Sequence, residues 1–283
     1  MTYHSQLNLI MLVTVIGLAI FLYLTPRFQS ENDEAYSVSL RKPESVQTIR
    51  IVRHGQEAAL RRITDIWHLV QPYSARADTA LVEKILHVLS ANSRQRFPLK
   101  DPEGFNLDHP GIELYFDDDH FVFGGLAPVT NEQYLAINDH IYLVSPRYAI
   151  WIPASPLDLV SAKLLADDEI PVQFELDGVV IRQQNGQWAA VSENSGSLTH
   201  TLLESWANLW RFHQATELVT DLRDHSDIQT VITIILQDGR QIRIDVFKSN
   251  SGAVFLRSGE QVGYYFSDSV SRRLLSPYAV KAD

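Results

Sequence analysis

The chain has 283 residues, of which 45% are hydrophobic and 20% are charged, and this globular composition excludes disordered, collagen-like and low-complexity proteins. Lys and Arg number 24 against 34 Asp and Glu, so the net charge of −10 argues against a nucleic-acid partner, whose phosphates attract a positive surface. Since cysteine is absent, disulfides, thiolate metal sites and a cysteine nucleophile are excluded as well.

The first element is an uncharged apolar run, LNLIMLVTVIGLAIFLYL, at residues 7–24. A helix of that length rises about 27 Å, close to the thickness of the hydrocarbon core of a bilayer. The preceding residues contain no Lys or Arg, and no small-x-small cleavage site follows, so a retained anchor is favoured over a signal peptide. We predict a short cytoplasmic N-terminus at 1–6 and a single transmembrane helix at 7–24, which makes the membrane a partner.

Residues 25–44 are polar and contain two prolines, which is typical of a tether. The charges beside the helix bear on its orientation. Arg27, Arg41 and Lys42 follow the apolar run, and by the positive-inside rule they favour a cytoplasmic body. The charge count alone does not settle the orientation.

The remainder of the chain repeats with weak similarity, so that Trp67 corresponds to Trp188. Apolar residues recur at helical spacing in both copies and predict one amphipathic helix in each. The predicted core of the repeat comprises Trp67, Leu81, Ile85 and Leu89 in the first copy and Trp188, Leu202, Trp206 and Trp210 in the second. An aromatic ligand groove between the copies is the alternative interpretation of the tryptophans.

Alternating apolar residues flank Asp117-Asp118 and Asp238-Gly239, a pattern that predicts β-hairpins. A period this long indicates two copies of one small domain rather than a solenoid. We predict an α+β fold in which the N-terminal transmembrane helix precedes two tandem duplicated modules, each an antiparallel sheet with one packed amphipathic helix. The modules span 45–156 and 171–278, and 157–170 is the junction.

Three segments of the first copy carry a family resemblance: IWHLVQP at 66–72, FNLDHPGIELYFDD at 105–118 and YLAINDHIYLV at 134–144. With these segments the chain resembles the bacterial family of domain of unknown function 4340, although Asn106 stands where that family commonly has Gly. The resemblance implies an envelope protein in the inner (cytoplasmic) membrane with a periplasmic or extracytoplasmic body, against the charge count. It supplies no active site.

No catalytic signature is present in the sequence. The ten histidines lack the spacing of a zinc-binding helix, and no nucleophile elbow, P-loop or dinucleotide motif occurs. The dense polar cluster Asp117-Asp118-Asp119-His120 lacks the pattern of a calcium loop, and we interpret it as an acidic hairpin tip. We predict no catalytic, cofactor-binding or metal-binding residue, and therefore no enzyme.

Aromatic residues crowd the end of the first module, and exposed aromatic clusters are typical of protein interfaces. The candidate interaction surface comprises Tyr134, Tyr142, Tyr148 and Trp151. The sequence predicts a single-pass, non-enzymatic accessory or scaffold protein that binds a membrane-protein partner in a bacterial envelope complex, with transport as one such process. The alternative is an extracytoplasmic binding module for a small molecule, peptide or glycan, with its cleft between the repeats. A hydrolase is a third option, and it requires a buried acid near a His or Ser.

Overall fold

The structure is a computed structural model that describes residues 11–19, 35–191, 198–222 and 228–279. Within these ranges strands hold 43% of the residues and helices 24%, and the strands form three sheets. The predicted α+β class is therefore wrong, because the described chain is mainly β-sheet and its helices are short.

The predicted membrane anchor is also wrong. Residues 11–19 form an exposed helix that rises about 14 Å, roughly half of a bilayer core. In the described part of the chain, no helix has both the length and the apolarity that crossing a membrane requires. This finding overturns the transmembrane helix at 7–24, the single-pass topology and the inner-membrane location. Residues 1–10 and 20–34, which complete the predicted N-terminus, anchor and part of the tether, lie outside the described residues.

The first large sheet has nine strands in the order β5-β4-β3-β2-β8-β9-β10-β11-β7. Its strands are β2 (Thr48–Arg53), β3 (Gln56–Ile63), β4 (Ile66–Gln71), β5 (Ala75–Arg76), β7 (Arg96–Pro98), β8 (Ile112–Phe116), β9 (Asp119–Leu126), β10 (Gln133–Ile137) and β11 (His140–Val144). A two-stranded sheet beside it pairs β1 (Tyr36–Ser37) with β6 (Asn92–Ser93).

The second large sheet has eight strands in the order β14-β13-β12-β16-β17-β18-β19-β15. Its strands are β12 (Pro171–Leu176), β13 (Val179–Gln184), β14 (Gln187–Ala190), β15 (Glu217–Val219), β16 (Ile228–Leu236), β17 (Gln241–Ser249), β18 (Gly252–Arg257) and β19 (Gly263–Ser267). Apart from β5, the two sheets have the same order. In each sheet, three strands that come first in the sequence lie on one side, and four later strands follow them across the sheet. The far edge is a short strand that lies between these two groups in the sequence.

The register brings apolar side chains together on one face of each sheet. In the first sheet Ile49 lies between Leu60 and Phe116, and all three are buried. In the second sheet Phe174 lies between Ile181 and Ile234. Because side chains alternate along a strand, this register places one apolar face of each sheet against its covering helix.

Four labelled helices accompany the sheets in the described ranges: α1 (Thr79–Leu86), α2 (Arg147–Ile150), α3 (His200–Phe212) and α4 (Asp268–Leu275). The two main helices begin at side-chain caps, which satisfy free backbone N–H groups. Asp78 accepts from the backbone N–H of Leu81 at 3.0 Å, and Thr199 accepts from that of Leu202 at 3.4 Å.

The residues of the predicted repeat core belong to α1, to α3 and to the 3₁₀ turn and strands beside these helices. Trp67, Ile85, Leu89, Trp188, Trp206 and Trp210 are buried, and Leu81 and Leu202 are half-buried. The second core is rich in aromatic rings, with Phe174 in contact with Trp188, Trp206 and Trp210. The first core is mainly aliphatic around α1. The module bounds 45–156 and 171–278 stay predictions.

Hairpin turns join most neighbouring strands. Asp177 and Gly178 both have positive φ, 44° and 77°, which is the geometry of a type I′ turn between twisted strands. Asp117 at the β8–β9 turn also has positive φ, at 52°. Such turns fix the register of the strands on either side.

Candidate functional site

A groove of about 850 Å³ lies on the first sheet, between residues 37–45 and the ends of β7, β10 and β11. We call it the N-terminal groove. Its lining residues are Ser37, Val38, Ser39, Leu40, Arg41, Lys42, Ser45, Arg96, Asp119, Ile137, Asn138, His140 and Tyr142. Three of these residues are cationic and only one is acidic.

One wall of the groove is an irregular segment that is firmly attached to the sheet. Val38 is buried and its N–H donates to the carbonyl of Ala91 at 3.0 Å. The Ser39 hydroxyl accepts from the Arg41 N–H at 3.0 Å, and Ser45 donates to the Lys42 carbonyl at 2.8 Å. These bonds hold the wall in one conformation.

Arg41 is an anchor of this wall. Its guanidinium bonds Asp119 through Nε and Asp117 through Nη1, the latter at 3.0 Å. The hydrogen bond to Asp119 raises the pKa of Arg41 further above its ordinary value, although burial opposes the shift. The two carboxylates neutralise this cation, so its role is structural.

Arg96 contacts His140 and Tyr36 and has no acidic side chain beside it in the described ranges. Its Nη2 donates to His140 Nε2 at 2.7 Å, and its guanidinium carbon lies 6.0 Å from the centre of the Tyr36 ring. Among the described residues, Arg96 has no carboxylate within 4 Å, and neither does Lys42. The groove therefore offers two cations whose charge is not neutralised by an ion pair.

Leu40 stands at the edge of the same groove with 98% of its surface exposed. A leucine side chain gains about 2 kcal/mol when it is fully buried. Because its neighbours Val38 and Arg41 are anchored, the exposure of Leu40 belongs to an ordered surface. A partner that covers Leu40 gains this burial energy.

The second polar feature is a buried cluster between the two large sheets, the junction cluster, formed by Arg76, Glu169, Arg257, Glu260 and Tyr264. Arg76 Nε donates to Glu260 Oε1 at 2.7 Å. Its Nη2 reaches the carbonyl of Lys163 at 2.8 Å and the hydroxyl of Tyr264 at 3.1 Å. Arg257 Nη1 donates to Glu169 Oε2 at 2.7 Å.

The titration behaviour of the cluster follows from burial and pairing. Burial opposes the charge on Arg76, but Tyr264 and Glu260 outweigh it and raise its pKa. Burial likewise raises the pKa of Glu169, and the bonds from Arg257 reverse this so that the pKa is lowered. Burial raises the pKa of Tyr264. Arg76 and Glu169 therefore stay charged and Tyr264 stays neutral at physiological pH, and the ion pairs of the cluster link the two sheets.

A cavity of about 400 Å³ adjoins the cluster. It lies between the β3–β4 turn, the start of α1 and the predicted junction, with Thr64, Asp65, Ser161 and Lys163 in its wall. Lys163 is paired with Asp167 at 2.6 Å. The charged side chains that line this cavity are thus largely paired with other groups of the protein.

The four aromatic residues of the predicted interaction surface do not lie together as an exposed patch. Tyr142 and Tyr148 are 7% and 8% exposed, and Tyr134 and Trp151 are half-buried. Tyr148 and Trp151 pack edge to face at 5.8 Å, and Tyr134 packs on Phe105 at 4.8 Å. Tyr142 alone lines the N-terminal groove.

The acidic hairpin tip is held by internal contacts. Asp117 Oδ1 accepts from the backbone N–H groups of Gln47 and Thr48, at 3.1 and 2.8 Å. His120 lies 2.8 Å from Glu113 and stacks on Tyr115. No group of three or more His, Asp or Glu side chains in the described ranges is arranged to hold a metal ion.

Sequence reasoning missed the residues that define both features. Leu40 is a single apolar residue in a polar stretch, which is a weak signal of a contact surface. Arg76 lies in the short sequence Ala75-Arg76-Ala77, which has no recognisable pattern. Its partner Glu260 is 184 residues away in sequence, so no local spacing reveals the pair.

Comparison of the chain with protein-family models, with curated proteins and with solved structures gives no match in any of the three. The resemblance to the family of domain of unknown function 4340 stays a prediction. The N-terminal groove and the junction cluster are therefore the candidate sites of function.

Proposed function

We propose that this chain is a non-enzymatic accessory protein that binds a protein partner through the N-terminal groove. The observation that carries the proposal is the combination of unneutralised Arg96 and Lys42 with the exposed Leu40 on an anchored wall. Protein interfaces combine apolar contact with charged groups that set orientation. The second sheet, linked by the junction cluster, acts as a rigid support.

The buried acids favour binding over acid–base catalysis. Glu169 and Glu260 are each bonded to arginine, and the lowered pKa of Glu169 keeps it ionised. A general acid or base that works near neutral pH has a pKa close to that pH. The cluster is suited to holding the sheets together.

A small ligand at the junction is the second candidate function, and the cavity of about 400 Å³ beside Arg76 favours it. The groove is the better candidate because its cations lack acidic partners, whereas Arg76 and Lys163 at the junction are paired.

Photo-crosslinking in the protein's own cells tests the proposed function. A benzophenone amino acid is placed in the full chain at Leu40, and separately at two exposed apolar control positions, Val129 in the β9–β10 turn and Phe212 on α3. We expect a discrete protein adduct from position 40 and none from the controls. Equal labelling at the three positions, or no adduct at position 40, overturns the proposal.

A further inference from the structure

We propose that the segment recognised by the N-terminal groove is an acidic peptide of the partner, with its carboxylates on Arg96 and Lys42 and an apolar side chain on Leu40. This inference rests on the function proposed above and specifies the chemistry of the partner. It follows from three features of the groove: its two cations without an acidic partner in the described structure, its exposed apolar edge and the charge around it.

First, the two arginines of the groove differ in their partners. Arg41 is saturated by Asp117 and Asp119, and the ion-pair distances are 3.0 and 2.5 Å. Arg96 is oriented by His140 and Tyr36, which carry no negative charge to compensate it. A guanidinium has five N–H donors, and in the described structure only Nη2 of Arg96 makes a hydrogen bond. The Nε and Nη1 donors and the second N–H of Nη2 remain for a carboxylate, which arginine binds through two parallel bonds from Nη2 and one of its two neighbours.

The second step distinguishes a peptide from a small anion. A free oxyanion satisfies Arg96 and Lys42 but leaves Leu40 in water at 98% exposure. A peptide supplies carboxylate and apolar side chains on one backbone and covers the edge together with the cations. The volume of about 850 Å³ accommodates several side chains.

The third step concerns charge around the groove. The chain carries a net charge of −10, so its overall field repels an acidic partner, and attraction is confined to the groove. Local complementarity of this kind fixes where and in which orientation a partner binds. The exposed Asp139, between the lining residues Asn138 and His140, opposes the attraction, and its removal strengthens binding.

The test is a fluorescence-anisotropy titration of the full chain with a labelled peptide of Glu-Leu-Gly repeats. Two further peptides replace Glu by Gln or Leu by Ser. The double variant Lys42→Gln/Arg96→Gln is matched by Lys248→Gln/Arg273→Gln, which removes two exposed cations from the other half of the chain. Unchanged melting curves verify folding of both variants.

We expect the Glu-Leu-Gly peptide to bind, and to bind about tenfold more weakly to the groove variant, since the loss of two rim ion pairs then amounts to about 1.4 kcal/mol. The matched variant retains its affinity within about twofold, and Asp139→Asn tightens binding by about twofold, because rim charges act modestly. Both altered peptides bind more weakly than the parent.

Equal affinity for the Glu and Gln peptides, equal weakening by the two double variants, or no binding of the Glu-Leu-Gly peptide overturns this inference. If the Ser peptide binds as tightly as the parent, a simple anion site replaces the peptide site. A position-40 crosslink that persists in any of these cases leaves the proposed function standing, whereas loss of that crosslink removes both.

Discussion

The two large sheets have the same strand order apart from β5, but they are covered differently. In the second sheet, α3 buries Trp206 and Trp210 against Phe174. In the first sheet, the shorter α1 covers a mainly aliphatic core, and residues 37–45 lie at one end and enclose the N-terminal groove. The comparison indicates that the strand order provides the frame, and that the segments added to it determine which sheet carries a binding surface.

The sheets also depend on each other. Gln261 of the β18–β19 turn donates its N–H to the carbonyl of Ser74 at 2.7 Å, and Val262 is fully buried within the first core. Arg76 extends from the first sheet to Glu260 and Tyr264 in the second half of the chain. The difference in covering therefore occurs within a body whose halves are joined by buried polar bonds.

We expect the largest effect on stability from a substitution that breaks the junction cluster. Arg76→Met removes the closest cationic partner of Glu260 and one of the two arginines beside Glu169, and we expect a loss of about 3–5 kcal/mol in the free energy of unfolding. Arg243→Met, which removes an exposed arginine paired with Asp245, changes it by less than about 0.5 kcal/mol. Urea denaturation measures both. A comparable change in the two variants contradicts a structural role for the cluster.

A matched pair of tryptophans sharpens the description of the second core. Both indoles are fully buried. Trp206 Nε1 donates to the carbonyl of Leu274 at 3.1 Å, whereas Trp210 Nε1 has no hydrogen-bond partner among the described residues. We expect Trp206→Phe to destabilise by about 1 kcal/mol more than Trp210→Phe, because only the first loses a hydrogen bond. The same denaturation experiment compares them, and the reverse order contradicts this account of the core.

The dependence of stability on acid pH provides a second test of the junction cluster. The pKa of Glu169 is lower in the folded state than its ordinary value of 4.5. Its contribution is therefore complete above the ordinary carboxylate pKa and is lost as the pH falls through the folded pKa. We expect Glu169→Gln to reduce stability at neutral pH and to make the loss of stability below about pH 4.5 shallower.

Melting temperatures measured between neutral and acidic pH test this expectation. Glu217→Gln, at an exposed glutamate of the edge strand β15, serves as the control and leaves the acid dependence unchanged. If Glu169→Gln retains the acid dependence of the parent, another group is responsible for it.

The smallest effect on stability is expected at the groove. Arg96 is exposed and its hydrogen bonds go to the His140 ring, so Arg96→Gln changes the free energy of unfolding by less than about 0.5 kcal/mol. Thermal denaturation measures the change. A large loss assigns Arg96 to the framework, as with Arg41, and removes it from the binding surface.

Local patterns in the sequence located part of this architecture. The apolar spacing from Leu81 and from Leu202 coincides with α1 and α3. Asp117-Asp118 and Asp238-Gly239 lie at hairpin turns, between β8 and β9 and between β16 and β17. These features depend on neighbours within a few residues, which periodicity records. The length and hydropathy of the apolar run at 7–24 predict a spanning helix, but the helix described there, at residues 11–19, is too short to cross a bilayer.

The candidate site was beyond the reach of such patterns. Arg96 and His140 meet because β7 pairs with β11, and Arg41 reaches Asp119 from 78 residues away. Tyr148 on α2 is buried against Trp151, and Tyr134 on β10 is half-buried against Phe105, because tertiary contacts that the sequence does not display bring these rings together. Which charges are paired and which are free depends on tertiary contacts.

Amide hydrogen exchange of the full chain, with and without the Glu-Leu-Gly peptide, tests the central claim that the first sheet binds and the second supports it. We expect the peptide to protect residues 36–45 and 137–142, while exchange in β12 to β19 remains unchanged. Protection of the second sheet or of the junction at 157–170, or identical exchange throughout the chain, contradicts the account.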